Sequence, residues 1–76
     1  MKTCHIKLSS IQDVREFVDV VTRYDIEIDL SSGRYVVDAK SIMGIFSLDL
    51  MSEITLTAHS DSETKLFDDL KKFIVE

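Results

Sequence analysis

A chain of 76 residues, 45% hydrophobic and 30% charged, has the balance of one globular domain rather than of a disordered acidic tail. At this length folding removes only about 60% of the unfolded surface, which leaves no room for a deep enzyme pocket. The net charge of −5 works against sequence-independent binding to nucleic acid and against attachment to an anionic membrane, since both rely on clustered Lys and Arg.

The first ten residues, MKTCHIKLSS, lack the apolar stretch of a signal peptide, and nowhere do about 20 apolar residues run together to span a bilayer. A cytoplasmic location is expected. Cys4 is the one cysteine, so no internal disulfide can form and no CxxC motif is present. In MKTCHIKL the apolar Cys4, Ile6 and Leu8 alternate with Thr3, His5 and Lys7, the period of a strand with one wet face. SSIQDVREFVDVVTRY then places Ile11, Val14, Phe17, Val18 and Val21 at helical spacing, and Ser10 with Asp13 resembles a capping box that starts the helix.

DIEIDL returns to alternation, with Ile26, Ile28 and Leu30 on one face and Asp25, Glu27 and Asp29 on the other. SSG at 31–33 followed by RYVVDA makes residues 25–39 a hairpin, because glycine accepts the positive φ of a tight turn. KSIMGIFSLDL is apolar at nearly every position, and a short helix is expected from Ser41 to about Leu48, with Gly44 allowing close packing or a bend. EITLTAH alternates through Ile54, Leu56 and Ala58. In SDSETKLFDDLKKFIVE, Ser60 and Glu63 form a second candidate capping box, and Leu66, Phe67, Leu70, Phe73 and Ile74 fall on one helical side. The expected order is βαββαβα in one domain over residues 1–76. Four half-wet strands and two long amphipathic helices fit an α+β, open-faced two-layer sandwich, with the helices on one face of an antiparallel sheet.

Ser41 stands where a strand hands over to a helix. Serine is a favoured N-cap because its hydroxyl accepts a hydrogen bond from the next turn. A phosphate at the same place would meet unpaired N–H groups and the positive end of the helix dipole. It would add about −1.5 to −2 charge beside Ile42, Met43 and Phe46, with Lys40 adjacent, and so change which partner docks there.

The stretch KSIMGIFSL resembles the regulatory-serine segment of HPr, the small phosphocarrier of the bacterial phosphotransferase system, whose members often read KSIMGVMSL. The likeness extends through RYDIEIDL before it and EITLTAHS after it, and so covers most of the chain. It implies a four-stranded sheet in the order 1423. It also implies that Ser41 is the serine phosphorylated by HPr kinase with ATP, and that Ile42, Met43 and Phe46, with Lys40, form a docking patch. The partners implied are proteins: an HPr kinase-like enzyme, a transcriptional regulator or another phosphotransferase component, with no cofactor.

HPr carries its phosphoryl group on a histidine in a motif like GIHARPA at the start of the first long helix. Here the corresponding stretch is LSSIQDV, a few residues shorter and without the histidine, arginine or proline. Ser9 and Ser10 cannot replace it, because a phosphoserine ester lacks the transfer potential of a phosphoimidazole. The resemblance therefore implies a non-enzymatic regulatory protein of carbon catabolite control, not a phosphohistidine carrier. A carrier with an unusual acceptor, and a plain adaptor in which Ser41 only caps a helix, are the alternatives. An acyl-carrier protein conflicts with the four strand-period segments.

By parity His5 and His59 lie on the solvent face, on strands that are neighbours in HPr. Two ligands are too few for a closed zinc site, and no metal site is expected. Asp25, Glu27 and Asp29 read as a solvated strand face, and only two glycines are present with which to build a nucleotide loop.

Overall fold

The computed structural model describes residues 1–60 and 64–75. Its elements are β1 (Lys2–Ile6), α1 (Ile11–Val21), β2 (Ile28–Ser32), β3 (Tyr35–Asp38), α2 (Ile42–Phe46), β4 (Ile54–Ala58), α3 (Thr64–Asp69) and a 3-10 turn, Lys71–Phe73. The strands form one antiparallel sheet in the order β1-β4-β2-β3, the order that the resemblance implied.

Register fixes the two faces of the sheet. Cys4 lies opposite Leu56, Leu56 opposite Leu30, and Leu30 opposite Val37, so one face is apolar across all four strands. Val14, Phe17 and Val21 of α1, Ile45 of α2 and Leu66 of α3 are buried on that face, against Ile6, Ile28, Leu30, Ile54, Leu56 and Ala58. The other face carries a row of Thr3, Thr57, Asp29 and Asp38 and a row of His5, Thr55, Ser31 and Val36, and stays open. Phe17 and Phe73 meet edge to face, with ring centroids 6.0 Å apart and planes at 81°, an arrangement that suits the aromatic quadrupole.

Local chemistry sets the joints. Ser10 caps α1 by accepting a hydrogen bond from the Asp13 N–H at 3.1 Å, and Asp13 accepts one in return from the Ser9 N–H at 3.0 Å. The reciprocal bond thus reaches one residue further back than in the usual capping box. Between β2 and β3, Ser32 pairs with Tyr35 around a two-residue turn. Gly33 takes φ +60°, and no non-glycine residue described has a positive φ, the pattern of a type II′ turn.

Four expectations need correction. β2 begins at Ile28, so Asp25 and Glu27 precede the strand that carries Asp29; the Glu27 carbonyl still accepts a bond from the His59 N–H at 2.9 Å. The short helix ends at Phe46, with Leu48 buried beyond it. The last helix is not one long element: α3 gives way to the 3-10 turn, and Ile74 leaves helical geometry to bridge Ile6. Ile11, expected in the core, is 63% exposed at the first position of α1. The Ser60–Glu63 cap falls partly outside the described residues.

The bridge at Ile74 continues on both sides. The Lys7 N–H donates to the Phe73 carbonyl at 2.9 Å, and the Val75 N–H donates to the His5 carbonyl at 3.0 Å. This tail satisfies backbone groups on the outer side of β1, while the outer side of β3 has no such cover among the described residues.

Candidate functional site

The chain leaves β3 through a turn built by Asp38. Its carbonyl accepts a bond from the Ser41 N–H at 3.0 Å, and its carboxylate accepts one from the Lys40 N–H at 2.9 Å. These bonds hold Ser41 extended, at φ −101° and ψ 106°, as the N-cap of α2. Its half-buried hydroxyl oxygen accepts a bond from the Gly44 N–H at 3.1 Å. Gly44 packs closely, since a Cβ there would lie 3.2 Å from both Ser41 Oγ and Val37 Cβ and would press on them.

The residues around Ser41 divide. Lys40 turns its ammonium to the Tyr24 carbonyl, donating at 2.7 Å, just past the C-terminal end of α1 where a cation complements the helix dipole. It is thus engaged away from the Ser41 hydroxyl. Ile42 is half-buried against the core, whereas Met43 is 77% and Phe46 41% exposed. A docking patch formed from these residues would present Met43 and Phe46 outermost.

Phe46 also belongs to a feature that the sequence did not reveal. With Leu50 and Met51 it forms one wall of an open cavity of about 600 Å³, whose other wall is Lys7, Leu8, Ser9, Ser10 and Ile11. The exposure of Ile11 is explained by this position at the mouth of the groove. Its helical spacing from Val14 gave no sign of it, since the second wall lies some 35 to 40 residues further along the chain.

Ser9 and Ser10, in the stretch that corresponds to a carrier histidine, are occupied with closing α1. Asp13 adds a carboxylate over the first turn, which disfavours a second anion there. The two histidines are not brought together. His5 lies opposite Thr55, so His59 is displaced by four residues, about 13 Å along the strand at ~3.3 Å per residue. His59 Nε2 instead meets Asp29 Oδ2 at 2.8 Å. Cys4 is half-buried, and burial raises the pKa of its thiol. No helix among the described residues is long and apolar enough to cross a membrane.

Comparison with known proteins starts from the fold. HPr-C-His from Thermoanaerobacter tengcongensis is 26% identical with a TM-score of 0.80, over 95% of this chain and 89% of that one. Phosphocarrier protein HPr from Bacillus anthracis is 24% identical with a TM-score of 0.72, over 96% of this chain and 95% of that one. Crh from Bacillus subtilis, a catabolite repression protein described as a swapped, intertwined dimer, is 23% identical with a TM-score of 0.66, over 93% and 88%. No curated protein matches the sequence. The family model for the HPr component of the phosphotransferase system, described by its phosphorylation site, matches residues 12–76. That match spans α1 to the C-terminal tail and begins just after the Ser10 cap, and by it the chain belongs to the HPr family.

Proposed function

We propose that this chain is a regulatory binding module of the phosphotransferase system, not a phosphohistidine carrier, and that Ser41 is its phosphorylation site. The carrying observation is the placing of KSIMGIFSL: Ser41 caps α2 directly beside the exposed Met43 and Phe46. The reading also takes up, for this chain, the catabolite-repression setting named for the Crh neighbour.

The proposed reaction transfers the γ-phosphoryl group of ATP to Ser41 Oγ, with loss of the hydroxyl proton and release of ADP. An oxygen of the new phosphate can accept the Gly44 N–H bond that Oγ accepts now, so α2 keeps a cap. Lys40 spends one of its three ammonium N–H donors on the Tyr24 carbonyl. The modified surface is an apolar pair, Met43 and Phe46 with Ile42 beneath, next to a group of about −1.5 to −2 charge. It calls for a partner with an apolar recess flanked by Arg or Lys. Asp13 and the missing imidazole at the start of α1 support the non-carrier half of the reading.

The test is the intact mass after incubation with HPr kinase and ATP, with Ser41→Ala alongside and authentic HPr as a positive control. One added phosphate on the wild type and none on the variant is expected. Ser41→Ala also removes a cap worth about 1 kcal/mol, so its circular dichroism is compared first. An unmodified wild type beside a modified HPr would overturn the proposal.

A further inference from the structure

Among the described residues the outer edge of β3 is open, and its sequence is complementary to itself. The Ala39 N–H donates to the Ile28 carbonyl at 2.9 Å, and Ser32 lies opposite Tyr35 across the turn. In an antiparallel ladder, backbone bonding alternates from one residue to the next. Tyr35, Val37 and Ala39 therefore bond inward to β2, and the N–H and C=O of Val36 point outward. Tyr35 and Val36 are 68% and 65% exposed. The edge carries neither proline nor lysine, the residues that commonly block edge pairing.

We infer that this edge pairs with the β3 edge of a second copy of the chain, antiparallel about a two-fold axis at Val36. Only outward-bonding residues can exchange both backbone bonds, and Val36 opposite its own copy satisfies that condition. In this register Tyr35 faces Val37 on the helix-bearing side, and Arg34, in the turn that leads into β3, comes beside Asp38 of the second copy at both ends. Opposite charges and aromatic with β-branched residues are favourable cross-strand pairs. A shift of the axis to Val37 would set Arg34 against Lys40, two like charges.

A second observation points to the same occupant. Within its own sheet Asp38 lies directly opposite Asp29, an unfavourable like-charge pair. His59 reaches Asp29 at 2.8 Å, whereas neither Asp38 nor Arg34 has an ion pair among the described residues. The second copy brings an Arg34 to each Asp38. Four residues per strand and a charge of −5 per chain make the dimer weak and rapidly exchanging.

Sedimentation velocity from micromolar to millimolar protein, at about 0.15 M salt where screening acts over ~8 Å, tests this. The average mass should rise reversibly with concentration. Arg34→Asp should weaken association about tenfold, and the double variant Arg34→Asp with Asp38→Arg should restore it. Hydrogen exchange at the Val36 amide should slow as concentration rises. Asp38→Arg removes the carboxylate that accepts the Lys40 N–H, so Val36→Pro, which deletes only an outward donor, provides a second monomerising variant. A chain monomeric throughout, or a dimer indifferent to both Arg34→Asp and Val36→Pro, as strand exchange would give, overturns the inference.

Discussion

Gly44 and Ser41 illustrate how little space the candidate site has. Alanine in place of Gly44 would gain about 1 kcal/mol of intrinsic helix propensity, but overpacking of this kind costs about 1–3 kcal/mol. The added methyl would press on Ser41 Oγ and on Val37 of β3, each at 3.2 Å. Gly44→Ala is expected to lose about 1 kcal/mol net in urea denaturation, and to slow phosphoryl transfer to Ser41 because the hydroxyl must move to admit it. Alanine that leaves stability and transfer unchanged would show that α2 can slide off β3 at no cost. The sequence placed Ser41 correctly as a cap, since capping depends on near neighbours. It placed Lys40 beside the proposed phosphate, where the structure gives its ammonium to Tyr24, because a carbonyl 16 residues away leaves no mark on local pattern.

At the scale of elements, alternation identified the four strands and helical spacing identified α1 and α3, whereas α2 lies in an almost continuously apolar run and the 3-10 turn left no separate signal. Their limits are less legible, because partners set them. DIEIDL alternates from Asp25, yet β2 starts at Ile28, where its ladders with β3 and β4 begin. Leu66, Leu70 and Phe73 are buried as helical spacing implies, but Ile74 is drawn off by Ile6, a residue that no local window contains. The groove beside Phe46 escaped notice for the same reason. The tail at Ile74 has a measurable role. Val75→Pro removes the N–H that donates to the His5 carbonyl, which should cost about 1 kcal/mol. Exchange at the Lys7 amide should quicken, because its bond to the Phe73 carbonyl belongs to the same short ladder. Unchanged protection at Lys7 would mean that Phe73 holds the tail unaided.

Across the whole molecule, Lys72 fastens the 3-10 turn to α1 by bonding Glu16, and its ammonium lies 5.4 Å from the centre of the Phe73 ring. The bond from Lys72, then that from Gln12 and the Lys72 charge, hold the Glu16 carboxyl below its ordinary range; the same contact raises Lys72 above the ordinary lysine range. A lowered carboxyl pKa contributes stability that is present above the unfolded value and lost as pH falls through the folded one. A raised lysine pKa contributes stability present below its unfolded value and lost as pH rises through the folded one. Glu16→Gln should therefore lower the urea midpoint slightly at neutral pH and make the acid limb shallower, both groups being solvent-exposed. Identical acid limbs would show that the pair contributes nothing.

The position of β1 between β4 and the tail also orders the events of synthesis. The β2–β3 hairpin needs only residues 28–38 and a two-residue turn, so it can close early. β1, made before both of its neighbours, has no partner until Ile54–Ala58 has been made and no outer neighbour until Val75. Its apolar side and that of α1 stay uncovered while the chain between α1 and β4 is made. A nascent chain is thus most open to chaperones, or to mispairing with another chain, through β1 and α1, and the sheet closes only once β4 and the tail at Val75 have been made.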